Sequence, residues 1–162
     1  MKRLSLVLMR HAEAEPATSG DADIDRPLSA RGRTDAIDAA DRIAAAHLRI
    51  DLVLVSPARR TRETAVIVAA ALDMADECRV EPSLYPGEPD KLLERLRRCN
   101  ADAARTVLMV GHNPAVSALA QRLGGNGQSL ALPPAGLCWL EFENDSWSEL
   151  RAATALAVTR LR

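Results

Sequence analysis

Residues 6–15 read LVLMRHAEAE, an apolar run that halts at a cation and a titratable ring, Arg10 and His11. The run starts at Leu4 and is nearly continuous to Met9. Apolar side chains on both faces of a strand, without alternation, belong to a strand covered on both sides. Two more such runs follow, DLVLV (Asp51–Val55) and TVLMV (Thr106–Val110), with a shorter one near Arg79 to Glu81. Helical spacing fills the gaps. SARGRTDAIDAADRIAAAHL places Ile37, Ala40, Ile43, Ala44 and His47 on one face, with Ser29 as cap. SPARRTRETAVIVAAAL has Pro57 for its first turn. A third helix runs through Leu92, Leu93 and Leu96, and a fourth opens at GHNP. GGNG (Gly124–Gly127) reads as a loop, and GLCWLEFEND with WSELRAAT as a closing pair of strands. The expected fold is α/β: three layers, a mostly parallel central sheet with helices on both faces. The 162 residues suit one domain over 1–162.

Composition narrows the function classes. A net charge of −1 gives no global reason to bind nucleic acid or an anionic membrane, so neither is an expected partner. Aromatic residues are only 2% of the chain, which leaves aliphatic side chains to fill the core. Cys78, Cys99 and Cys138 are scattered and odd in number, which argues against a disulfide framework or a thiolate metal site and for a reducing compartment. The basic start MKRLSLVLMRH reaches charge too early for a signal peptide or a spanning helix. A cytoplasmic protein is expected.

Three of the apolar runs end in polar residues of one kind: Arg10-His11, the stretch Ser56 to Arg62, and Gly111-His112-Asn113. In open parallel sheets ligands bind outside the carboxyl ends of the strands. If these ends are neighbours, two histidines and at least two arginines share a crevice with helix N-termini, and the fitting occupant is a phosphoryl group. In GHNP, Asn113 reads as a cap, Pro114 as a first-turn residue, and Gly111 as room for a ligand near the backbone. His47, late in a helix, reads as a partner of the helix dipole. Lys2 and Lys91 are the only lysines among 21 basic residues, so a single arginine match is weak evidence, and the conjunction carries the weight. His11-Ala12-Glu13 has the H-x-E spacing of zinc deaminases but lacks their P-C-x-x-C partner. A metal held by His11, His112 and a carboxylate is disfavoured by the adjacent arginines, so no metal and no cofactor are expected. No GxSxG, GxxxxGK[ST] or GxGxxG is present.

Taken in order, LMRHAEAE, SPARRTRETA and VGHNP resemble the histidine phosphatase, or phosphoglycerate mutase-like, superfamily. The short chain and DRPLSARGRTDA make it most similar to the small SixA-type branch of phosphohistidine phosphatases. The resemblance implies His11 as nucleophile, Arg10 as a ligand of phosphoryl oxygens, and His112 as the second histidine of the phosphate pocket. It assigns the S-P-x-x-R arginine to Arg60 rather than Arg59 or Arg62. Asn113 would add a backbone donor, and Arg26 would approach the pocket. Larger members carry a carboxylic acid after the third strand; here EPSLYPGEP puts Tyr85-Pro86 there, with Glu88 displaced. Glu13 and Glu88 are the candidate proton donors.

The chemistry of the residues agrees. A neutral imidazole is nucleophilic, and neighbouring arginines disfavour its protonated form. Phosphoryl transfer asks mainly for positioning and charge neutralisation. A missing acid penalises alkyl esters more than a phosphoramidate, whose imidazole leaves readily. The expected activity is therefore a metal-independent phosphohydrolase acting on phosphohistidine in a protein. A phosphatase of small phosphorylated molecules and a non-catalytic phosphate- or phosphoprotein-binding module are the rivals. The acidic stretch Glu13 to Asp25 is expected to be a solvated loop, and a monomer is expected.

Overall fold

A computed structural model of the chain describes residues 1–125, 127 and 130–162. Its sheet has six strands: β1 (Lys2–Arg10), β2 (Leu52–Val55), β3 (Cys78–Val80), β4 (Thr106–Gly111), β5 (Leu137–Asn144) and β6 (Ala157–Leu161), in spatial order β3-β2-β4-β1-β5-β6. The first four are mutually parallel, and β5 and β6 each pair antiparallel. The helices are α1 (Ala30–Ala45), α2 (Arg59–Ala71), α3 (Pro89–Arg97) and α4 (Ala115–Gly124). None of the described helices is long and apolar enough to cross a membrane.

The sheet divides the core in two, which explains why its strands read as unbroken apolar runs. Leu4, Leu6 and Leu8 of β1 point to one face, with Leu92 and Leu96 of α3 and Val116 and Leu119 of α4. Val7 and Met9 point to the other, with Ala36, Ala40 and Ile43 of α1 and Ala65 and Val68 of α2. Burying each such side chain contributes about 1.5–3 kcal/mol.

This arrangement also opens the crevice. β1 and β4 are neighbours, yet the helix after β1 covers one face and the helix after β4 covers the other, so the two exits diverge. That is a topological switch point, where open α/β sheets hold ligands. The register pairs Arg10 with Gly111, so His11 and His112 emerge side by side. Because β5 runs antiparallel to β1, with Met9 opposite Leu137, the loop that precedes it reaches the same end.

Several local expectations are corrected. The buried stripe of α1 is Ala36, Ala39, Ala40 and Ile43, whereas Ile37 is 51% exposed and Ala44 is exposed. The i, i+3, i+4, i+7 set made largely of alanine lets α1 lie close to its neighbours. His47 lies beyond the helix, with a φ of 55°, and its N–H donates to the Ala44 carbonyl. Ser29 caps α1 as read, its Oγ accepting from the Gly32 N–H. Pro57 precedes the α2 N-cap, Ala58, instead of entering the first turn. WSELRAAT is not a strand: residues 147–149 form a 3-10 turn that buries Trp147, whose indole N–H donates to the Ala104 carbonyl at 2.7 Å. The last strand is β6 instead. Gly125 closes α4 in the left-handed conformation, and Asn126 of GGNG lies outside the described residues.

Candidate active site

His11 follows the last residue of β1 and is stitched in place through backbone. Its N–H donates to the Gly111 carbonyl at 3.0 Å, and its carbonyl accepts from the Ala135 N–H at 3.1 Å. The next N–H, of Ala12, donates to Thr64 Oγ1 on α2. The ring Nδ1 lies 2.7 Å from the Ala12 carbonyl. A carbonyl only accepts, so Nδ1 carries the proton and Nε2 holds the free lone pair. Burial, opposed by that hydrogen bond and aided by the charges of Arg60, Arg10 and Arg26, holds the His11 pKa at about 4. The unliganded imidazole is thus neutral and nucleophilic at pH 7.

His112 faces it, ring centroids 5.4 Å apart, across the divergence of β1 and β4. Its Nε2 lies 2.7 Å from Ser56 Oγ at the end of β2, and its Nδ1 lies 3.4 Å from Arg60 Nη2. A guanidinium only donates, so Nδ1 accepts and Nε2 donates to Ser56. Burial first, then the charges of Arg60 and His11, lower its pKa to about 4 as well.

The periodicity of α2 decides which arginine enters. Arg60, Thr64 and Val68 form one buried row, and Arg60 is 7% exposed. Arg59 pairs outside with Glu63 at 2.8 Å, and Arg62 turns back to the Pro57 carbonyl. Arg10 donates through Nη1 to the Leu132 carbonyl, and its buried Nε has no partner among the described residues. Burial lowers the Arg10 pKa from its ordinary value.

Other expected residues fall into different places. The Asn113 side chain caps no helix N–H: its Nδ2 donates to the Leu132 carbonyl at 2.8 Å, the carbonyl that Arg10 also uses, while its Oδ1 accepts from Ser117. Asn113 therefore steadies the loop that steadies Arg10. Gly111 leaves room for Val116 of α4, 3.0 Å from where a Cβ would stand, rather than for a ligand. Arg26 donates to the Glu15 carbonyl at 2.9 Å and to Asp23 Oδ1 at 3.2 Å, and its charge contributes to lowering the His11 pKa. The Glu13 carboxylate accepts from Ser29 Oγ at 3.0 Å, tying it to the start of α1. There Gly32 is needed, because a Cβ on it would meet the Glu13 carbonyl oxygen at 2.1 Å. Glu88 is exposed at the N-cap of α3.

Two residues escaped the sequence reading. Asp23, within the acidic stretch expected to be solvated, turns inward from a 3-10 turn (Asp23–Asp25) onto Arg60, its Oδ2 3.0 Å from Nη2 and its carbonyl 2.8 Å from Nη1. Tyr85 donates its hydroxyl to the same Oδ2 at 3.0 Å and sets its ring edgewise to His112. Burial works to raise the Asp23 pKa, but hydrogen bonds from Tyr85, Arg26 and Arg60 prevail and bring it to about 2. No periodic signal marks an acid in an irregular loop; the only hint was Tyr85 standing where larger relatives carry an acid. Among the described residues no three His, Cys, Asp or Glu side chains gather as a metal-ligating group.

Comparison with known proteins follows the same lines. The model of the histidine phosphatase superfamily (branch 1) matches residues 6–85. An uncharacterised protein of Picosynechococcus sp. is 32% identical over 140 residues, 85% of this chain and 84% of its own. Phosphohistidine phosphatase SixA of Escherichia coli K12 is 28% identical over 121 residues, 74% of each chain. Among solved structures, a Nakamurella multipartitia protein assigned as a phosphohistidine phosphatase SixA is 31% identical, with a TM-score of 0.81 over 98% of this chain and 96% of that one.

Proposed function

This chain belongs to the histidine phosphatase superfamily (branch 1), with SixA-type proteins among its relatives, and is a phosphatase; we propose that it hydrolyses phosphohistidine on a protein, through a phosphoryl group carried on His11. The observation behind this choice of substrate is the state of the acids. Asp23, the carboxylate bonded to Arg60, stays ionised down to about pH 2. Glu13 is bound to Ser29 and Glu88 is exposed on α3. An ionised carboxylate has no proton for an alkoxide, so alkyl esters leave poorly. An imidazole already protonated on its other nitrogen needs no such help.

In the first step His11 Nε2 attacks phosphorus, a P–N bond forms to it, and the P–N bond to the substrate ring breaks with its electron pair going to that ring. If the substrate's other ring nitrogen carries a proton, the ring leaves neutral. Arg60 and the unpartnered Arg10 Nε offer donors to the phosphoryl oxygens in a water-poor site, where such donors count most. A bound dianion raises the basicity of His112 Nδ1, which then takes a proton and joins the clamp. In the second step water attacks phospho-His11, its proton is lost to solvent or product, and the imidazole is regenerated.

Brief reaction with a radiolabelled phosphohistidine peptide, followed by quench, tests this. The expected label is acid-labile, base-stable and absent from His11→Ala. Turnover of an alkyl phosphate equal to or above that of the peptide would overturn the substrate assignment.

A further inference from the structure

Asp23 sits where no phosphate-binding role explains it, because a carboxylate beside a phosphoryl clamp repels the group the clamp must hold. Its contacts are nonetheless extensive: Oδ2 accepts from Arg60 Nη2 and the Tyr85 hydroxyl, each at 3.0 Å, and Oδ1 accepts from Arg26 Nη1 at 3.2 Å. A carboxylate has about four lone-pair directions, so about one remains on Oδ1. The side chain is 53% exposed. The position relative to the reaction axis follows from the same contacts. Arg60 Nη2 lies 3.0 Å from Asp23 Oδ2 and 3.4 Å from His112 Nδ1, and Tyr85 bonds Asp23 while its ring meets His112 edgewise. Asp23 thus stands behind Arg60 and Tyr85 on the His112 side of the pocket. His112 faces His11 across the pocket, and in-line transfer puts the leaving group opposite His11.

We infer that Asp23 is a specificity-determining residue on the leaving-group side: its carboxylate accepts the ring N–H of a phosphorylated imidazolium and repels phosphate esters that carry a second negative charge. This rests on the phosphohistidine reading above. The chemistry is balanced without a proton donor: the substrate ring, phosphorylated on one nitrogen and protonated on the other, leaves as neutral imidazole while its N–H stays bonded to Asp23. Asp23 stabilises the cationic form in which the ring is a good leaving group. Tyr85 and Arg26 are positioning residues that hold the carboxylate at the rim.

The test compares kcat/KM of the parent, Asp23→Asn and Asp23→Ala on a phosphohistidine peptide, p-nitrophenyl phosphate and a carboxylate-bearing alkyl phosphate such as phosphoglycolate, with vanadate inhibition and thermal melting of each variant alongside. In both variants the peptide is expected to lose about 10-fold to 100-fold relative to p-nitrophenyl phosphate, and phosphoglycolate to gain relative to it. A merely structural role, through a displaced Arg60, would move all three substrates and the vanadate inhibition constant by one common factor, and that result overturns the inference. Failure of the parent to cleave the peptide while cleaving p-nitrophenyl phosphate overturns the phosphohistidine reading instead, and with it the imidazolium half of this one; the phosphoglycolate-to-aryl ratio then decides the charge-repulsion half.

Discussion

The two ends of the parallel strands each hold an aspartate that accepts several hydrogen bonds, and they use it differently. At the amino end, Asp51 Oδ2 takes the backbone N–H groups of Arg105 and Thr106, both at 2.9 Å, beside a cavity of about 620 Å³ lined by residues such as Arg49, Leu72, Met74 and Glu77. At the carboxyl end, Asp23 takes side-chain donors from Arg60, Arg26 and Tyr85. Backbone donors are fixed by the sheet, so Asp51 is a strut that ties the start of β2 to the start of β4. Side-chain donors can be redirected to a ligand, so Asp23 belongs to a site whose contacts change when substrate arrives. The cavity beside Asp51 is therefore not the reactive one. Convergence of a free imidazole lone pair with unspent donors marks the reactive end, and volume does not.

That contrast can be broken most sharply at His11. His11→Ala is expected to lower kcat by about 10⁴-fold or more, as loss of a covalent nucleophile does, in a steady-state assay with p-nitrophenyl phosphate. Next come Arg60→Ala and His112→Ala, each expected to cost about 10²-fold to 10³-fold in kcat/KM, the usual effect of removing a transition-state donor. Parent rates in either would separate the clamp from the reaction.

The imidazoles sharpen the comparison through pH. Both His11 and His112 are held at about 4 in the fold, against about 6.5 when unfolded. As pH falls below about 6.5 the unfolded chain binds protons first, so the stability due to these rings is fully present above about 6.5 and is lost toward pH 4. Nitrogen-15 imidazole titration should show midpoints near 4, and the urea midpoint should fall between pH 7 and 4.5, less so in His112→Ala. Midpoints near 6.5 would remove the buried, neutral pair. The smallest effect is expected at the opposite end: Asp51→Ala should destabilise by about 1–3 kcal/mol, leaving two N–H groups without their acceptor, with kcat/KM unchanged. A large loss of activity there would mean that the two ends are coupled.

The sequence by itself determined the α/β architecture and the polar residues at the strand ends. A strand buried on both faces writes an unbroken apolar run, so Arg10-His11 at the end of β1 and His112 after β4 stand out as interruptions. It also pointed to Arg60 through the resemblance to S-P-x-x-R, and the buried helical row of 60, 64 and 68 turns that residue inward. It misplaced what depended on packing between distant segments: the α1 face was read one residue off, because alanines on adjacent positions give little contrast, and Trp147 was read as strand although it plugs the core as a turn. Only the tertiary structure decided that Asp23 meets Arg60, that Tyr85 meets Asp23, and that Ser56 orients His112. These partners are 37, 62 and 56 positions apart. A hydrogen bond across such a distance imposes no period on the chain, and its partners are chosen by where the sheet carries them.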